Sequence, residues 1–137
     1  MQDKTLFQKI IDREIPADII YEDEQHIAIL DIAPFEKGHA LVIPKKPYET
    51  VLRMPEEEYA QLQQVVHNVA THMNQVLGGG MNIVQNNHTI AGQVVPHVHV
   101  HVIPRNIEKN LYSGSGSDVK YENDGEKQDF AERLRLG

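Results

Sequence analysis

The side chains best equipped for chemistry in this chain of 137 residues lie in the stretch Pro96 to Arg105, P-H-V-H-V-H-V-I-P-R. His97, His99 and His101 alternate with Val98, Val100 and Val102, the period of a half-buried β-strand. The imidazoles then share one face at about 7 Å spacing, and the β-branched valines suit a pleated face packed on a core. Such a row has three readings. The plainest is an exposed strand face rich in histidine, which strict alternation far from any terminal tag disfavours. The second is a zinc or copper site, since imidazole ligates both. The outer pair start about 13 Å apart along a strand, whereas zinc holds each nitrogen at about 2 Å, so two of the three plus a distant ligand is the arrangement a metal would allow. The third is catalysis: an imidazole of pKa about 6.5 serves as nucleophile, base or acid at neutral pH, and three so close titrate as a coupled set.

The elements around the row must position it. Phe7, Ile10 and Ile11 recur at helical spacing between Thr5 and Arg13, a short amphipathic helix bounded by Pro16. Ile19 to Glu24 and His26 to Asp31 read as a hairpin, with Ile27, Ile29 and Asp31 on one face. A loop, I-A-P-F-E-K-G, leads to the almost wholly apolar strand His39 to Pro44, expected at the centre of a sheet. Pro55 and the acidic run Glu56 to Glu58 open one long helix, striped by Tyr59, Leu62, Val66, Val69, Met73 and Val76 and ended by Gly78 to Gly80. His67 and His72 fall off the stripe or on its edge and read as surface residues. Met81 to Gln85 reads as a fourth strand, and a polar loop then enters the triad strand. This order predicts an α+β domain whose antiparallel sheet of about five strands is covered on one face by the long helix, leaving the other face for the site. The chain divides into a domain at 1–105 and a tail at 106–137. In the tail, L-Y-S-G-S-G-S-D is flexible in composition, and Phe130, Ala131, Leu134 and Leu136 suit a short helix capped by Asp129.

Composition narrows the partners. The net charge is −7 with no cysteine, which argues against a nucleic-acid binder driven by general positive charge and removes disulfides and cysteine-based zinc sites. No apolar run approaches membrane-spanning length and the N-terminus has no signal-like apolar core, so a cytosolic, cytoplasmic protein without a membrane partner is expected.

H-V-H-V-H-V-I resembles the His-x-His-x-His motif, with apolar x, of the histidine triad (HIT) superfamily of nucleotide hydrolases and transferases. F-Q-K-I-I-D-R-E-I-P-A-D-I-I-Y-E-D-E, D-I-A-P and G-H-A-L-V-I-P-K-K are similar to the upstream signature of its adenosine-nucleotide-hydrolysing branch. The resemblance runs from about Thr5 to Arg105 and leaves the tail outside. It implies a HIT-like fold and a homodimer whose protomers join sheets and long helices. It also implies a nucleophile, His99, that attacks the α-phosphorus of a purine nucleotide to give a nucleotidyl-histidine, which water then cleaves. His97 and His101 would orient it, donate to phosphate oxygens and assist the leaving group, and His39 matches a fourth, supporting histidine. Asp31 matches an acceptor for the ribose hydroxyls. Phe7, Ile10, Ile29 and Ile32 match the apolar clamp on the base, positions that simple core packing also explains. Asn86 and Gln93 match polar residues near the phosphates, where Gly92 lets backbone amides approach an anion.

Three positions depart from that pattern. Val94 stands where many members have Ser or Thr and leaves only a backbone N–H for the phosphate. His88 stands where Gly is common, either as a surface residue or as a contact to the leaving group. Gln8 occupies a position where some members carry a zinc-binding cysteine, so neither metal nor cofactor is expected. The leading function is hydrolysis of a phosphoramidate or dinucleoside polyphosphate to a nucleoside monophosphate. The alternatives are a nucleotidyl transferase, a nucleotide-binding regulator with weak turnover, and a divalent-metal binder.

Overall fold

The computed structural model describes residues 4–105 and 119–136. The Thr5 hydroxyl accepts the Gln8 N–H and starts helix α1 (Leu6–Ile11), a threonine cap satisfying one of the donors a helix start leaves free. Strands β1 (Ile19–Glu22) and β2 (His26–Leu30) form the expected hairpin. Its turn is closed by the Asp23 carboxylate, whose Oδ1 accepts the Gln25 and His26 N–H groups at 2.7 Å each, the local side-chain chemistry that makes Asp a turn former. Strand β3 (Ala40–Pro44) follows, then the long helix α2 (Glu56–Leu77), strand β4 (Gly80–Val84), strand β5 (Val100–Arg105) and helix α3 (Asp124–Leu134). Gly78, at φ +71°, ends α2 and donates its N–H to Asn74 O, the left-handed region glycine enters at little cost.

The sheet is antiparallel in the order β1-β2-β3-β5-β4, so β3 is central as its apolar sequence requires. Its two faces differ. Ala28, Leu30, Ala40, Val42, Val100 and Val102 pack with Leu62, Val65, Val66, Val69 and Met73 of α2 in the larger core. Ile27, Ile29, Leu41 and Ile43 face the other way and pack with Phe7 and Ile10 of α1. The face expected to be left open therefore carries α1 and a second small core, and the site lies beside that helix rather than on a bare sheet.

Two further expectations are corrected. The triad is not all strand: β5 begins at Val100, opposite Val42. Ahead of it Pro96 has no N–H to offer a ladder, and the Val98 N–H goes to Tyr48 O at 2.8 Å instead. The alternation survives, with Val98 fully buried in the α2 core and both His97 and His99 on the Phe7 side. The helix in the tail starts earlier than Asp129: Asn123 caps it by accepting the Glu126 N–H at 2.8 Å, while Glu126 Oε1 reaches back to the Glu122 N–H at 2.8 Å. That reciprocal pair resembles a capping box. The Gly/Ser-rich stretch 111–118, expected to be flexible, lies outside the described residues. Among the described residues no helix is long and apolar enough to cross a membrane.

Candidate active site

The register of the central strands assembles the site. Leu41 pairs with His101 across β3 and β5, and His39, two residues before Leu41, emerges on the same face. His39 Nε2 meets His101 Nδ1 at 3.0 Å. On the β2 side Asp31 donates its N–H to His39 O at 2.9 Å and brings its Oδ2 to 3.6 Å from His39 Nε2. The His99 and His101 rings meet edge to face at 5.0 Å, and Phe7 of α1 lies against His99 at 4.8 Å. A cavity of ≈ 360 Å³ opens here, walled mainly by apolar side chains and touched by both rings, a size within the usual small-ligand range of about 300–1,000 Å³.

The hydrogen bonds fix which nitrogen of each ring carries the proton. His99 Nδ1 lies 2.7 Å from His97 O; a carbonyl only accepts, so Nδ1 donates and Nε2 is left with a lone pair. His97 Nε2 likewise donates to Pro44 O at 2.7 Å, and its Nδ1 lies 3.5 Å from the Thr5 hydroxyl. His39 Nδ1 accepts the Phe35 N–H at 3.0 Å, so the neutral ring holds its proton on Nε2 and donates it to His101 Nδ1. His101 therefore carries its own proton on Nε2. One ring of the cavity wall, His99, thus has a free lone pair, and its neighbour His101 has an N–H.

Burial keeps these rings neutral, because a low-dielectric surround penalises the charged form. It pushes His39 down to about 4, against the opposing pull of Asp31 and with help from Arg105 and His99. It pushes His101 down to about 4 as well, aided by His99 and His39. His99 and His97 are lowered by burial too, each partly restored by its bond to a backbone carbonyl. A neutral imidazole at physiological pH is a competent nucleophile or hydrogen-bond donor without losing a proton first.

Most of the residues singled out in the sequence converge on this cavity. Phe7, Ile10, Ile29, Asp31, Ile32, Asn86, Gly92, Val94, His99 and His101 all line it, with Ile32 and Val94 on its rim at 79% and 88% exposure. Three do not reach it. His97 is fully buried with its nitrogens turned to Pro44 and Thr5, so it braces His99 through its backbone carbonyl and has no free N–H donor for a ligand. Gln93 is buried: its amide donates to Glu49 O and Val95 O at 2.6 and 3.0 Å, and its Oε1 accepts the His88 N–H at 2.7 Å. That side chain ties the loop together and does not face a ligand. His39 acts from behind His101. Phe35 and Leu41 line the cavity without having been singled out; the Phe35 N–H, which sets the His39 tautomer, is a backbone group that no residue pattern reveals.

Asp31, His39 and His101 could also hold a cation, each offering one ligand atom within 4.8 Å of the others. Such an ion would have to displace the proton that His39 Nε2 gives to His101, so metal binding and the present hydrogen-bond chain exclude each other.

Comparison with known proteins bears on the family and the fold. A family model described as the HIT domain matches residues 12–108. A HIT-like protein of Methanocaldococcus jannaschii is 46% identical over 116 residues, 85% of each chain. The protein named adenosine 5'-monophosphoramidase hnt1 of Schizosaccharomyces pombe is 39% identical over 100 residues, 73% of each chain. Among solved structures, a HIT-like protein from Bartonella henselae described as involved in cell-cycle regulation superposes with a TM-score of 0.85 at 29% identity, covering 98% of this chain and 97% of that one.

Proposed function

Because the chain belongs to the HIT domain family, we propose that it is a nucleotide hydrolase that cleaves at the α-phosphate of a nucleoside 5′-phosphate derivative through a nucleotidyl-His99 intermediate. The single observation that carries this reading is the tautomer pair: a lone pair on His99 Nε2 beside an N–H on His101 Nε2, both at the wall of one apolar cavity.

In the first step His99 Nε2 attacks phosphorus, forming a P–N bond as the bond to the leaving group breaks and its electron pair departs. His101 Nε2–H donates a hydrogen bond to that group as charge builds on it, the His39 N–H on His101 Nδ1 holds the ring in this tautomer, and the proton the group takes up comes from water. In the second step water attacks phosphorus and loses its proton to solvent, the His101 N–H steadies the phosphate oxygens, and the P–N electrons return to His99. The positive charge on His99 in the intermediate is shared through Nδ1–H with the His97 carbonyl at 2.7 Å, a charge-assisted bond stronger than a neutral one. The nucleoside sits with its base between Phe7 and Ile10 of α1 and Ile29 of β2, and its ribose hydroxyls on Asp31. The relative named a phosphoramidase makes a nucleoside phosphoramidate the first substrate to try. The transferase reading has the same first step with another acceptor in place of water.

The test is AMP release from adenosine 5′-phosphoramidate and from diadenosine tetraphosphate by the wild type and by His99→Ala. Turnover by the wild type, its loss in the variant and retained AMP binding are expected, since the clamp on the nucleoside is untouched. Equal activity in His99→Ala would remove the nucleophile assignment, and a product other than AMP formed with an added acceptor would favour transfer.

A further inference from the structure

The last described segment lies beyond the family match at 12–108, yet it is built into the turn that carries His39. Gly38 is buried, and its N–H donates to Tyr121 Oη at 2.8 Å. Beside it Lys37 Nζ meets Glu126 Oε2 of α3 at 3.0 Å. The same turn holds two bonds that shape the His39 ring: Phe35 N–H to His39 Nδ1 and His39 N–H to Glu36 O, each 3.0 Å. Gly38 sits at φ +95° with Leu134 and Phe130 of α3 at 3.4 and 3.5 Å from where a Cβ would stand, so the turn is closely packed against the tail. The tail is anchored independently: Lys127 pairs with Asp18 at 3.0 Å, and the Leu136 N–H reaches Ile20 O at 2.8 Å.

We propose that Tyr121 is a positioning residue for the reaction, holding the 35–39 turn so that the Phe35 N–H stays on His39 Nδ1 and the proton of His101 stays on Nε2. Without the Tyr121 oxygen the buried Gly38 N–H has lost its acceptor, and buried donors left unpaired drive local rearrangement. Any shift that takes the Phe35 N–H off His39 lets the ring adopt the other tautomer. His39 Nε2 would then accept from His101 Nδ1, and His101 would face the leaving group with a lone pair instead of a proton. Tyr121 touches neither the base clamp nor the nucleophile, so the defect falls on the chemical step. The role in turnover rests on the function proposed above; the tautomer it controls does not.

The experiment compares full-length wild type, Tyr121→Phe and Lys127→Ala at neutral pH. Long-range ¹H–¹⁵N spectra read the histidine tautomers of the free protein, and kcat and KM are measured on adenosine 5′-phosphoramidate. In Tyr121→Phe, a population of His101 protonated on Nδ1 is expected, with kcat down about tenfold and KM unchanged. Lys127→Ala, which loosens α3 away from Gly38, should lower the melting temperature and leave tautomers and kcat alone. Glu126→Gln, which weakens the Lys37 contact to the same turn, should move the tautomer in the same direction as Tyr121→Phe and serves if that variant is poorly folded. Wild-type tautomers in both Tyr121→Phe and Glu126→Gln would overturn the proposal, as would an equal kcat loss in Lys127→Ala. Should the wild type not turn over the phosphoramidate, the functional reading fails while the spectra still decide the role of Tyr121.

Discussion

At the scale of single residues, the site consists of imidazoles kept uncharged by burial, and this makes pH a direct probe of it. Burial lowers His99 below its free value, which is about 6.5, so kcat/KM should be level through neutral pH and fall only at more acidic pH, when protonation removes the Nε2 lone pair. A fall that begins above neutrality would mean that a charged His99 is not the cause. Stability follows the same groups. His39 and His101 titrate at about 4 in the fold and at about 6.5 in the unfolded chain. Between those values the unfolded chain binds more protons, so stability rises with pH across the window and is complete above it. Melting temperature should therefore climb from pH 4 to about 6.5 and then flatten, with a shallower climb in His39→Gln; a flat profile in the wild type would contradict the burial of these rings. The hydrogen-bond chain needs no metal for any of its steps, and a chelator should leave the rate of AMP release unchanged. Loss of activity on chelation, restored by zinc, would instead put a cation among Asp31, His39 and His101.

At the scale of elements, α1 does two jobs for the site. Its Phe7 and Ile10 close the second core and wall the cavity, while its capping residue Thr5 also faces His97 Nδ1. Thr5→Val keeps the shape and loses both contacts, so it should lower unfolding stability by about 1 kcal/mol, the usual worth of a cap, and raise KM through a looser base clamp. Denaturant melts and KM values check the two effects separately; an unchanged KM would show that α1 does not clamp the nucleoside. The other face is simpler: Met73 of α2 is 1% exposed in the larger core, and Met73→Ala should cost about 2–5 kcal/mol with the cavity untouched. The sequence made these elements legible to different degrees. His39, Asp31 and His101 were readable because strand period and motif assign them to one face. The polar partners of His97 and Gln93 are not legible in the sequence, because period gives the face of a side chain but not the partner of each polar atom: Pro44 O and Glu49 O belong to other segments. The start of β5 is not legible in the alternation because a ladder needs a neighbour as well as a pattern, and the Val98 N–H goes to Tyr48 O instead of to β3. The cap of α3 was written in the sequence, as Asn123 followed by Glu126, but only beside an apolar pattern too sparse to point to it.

At the scale of the whole molecule, the two edges of the sheet differ. The outer side of β1 is partly covered by the tail, whose Leu136 N–H and Arg135 Nε donate to Ile20 O and Ile19 O at 2.8 and 3.2 Å. Among the described residues, β4 pairs with β5 alone. An open edge strand offers unpaired backbone groups to another chain, and this one carries apolar surface beside it: Ile83, paired with Val102 on the α2 face, is 53% exposed, and Tyr59 of α2 is 39% exposed. The homodimer expected from the sequence should therefore form through β4 and the exposed side of α2, extending the sheet from one protomer into its partner. Sedimentation should give a particle of twice the 15.6 kDa chain mass. Ile83→Glu, placing a charge at the centre of that surface, should shift it to the monomer, because a buried unpaired charge is far costlier than an exposed one. The β1 edge supplies the control: Arg135→Ala removes a contact there and should leave the mass unchanged. A monomeric wild type would defeat the pairing, and a dimer that survives Ile83→Glu but not Arg135→Ala would move the interface to the opposite edge. The cavity lies on the α1 face of the sheet, away from Ile83, so Ile83→Glu should retain nucleotide binding even as a monomer.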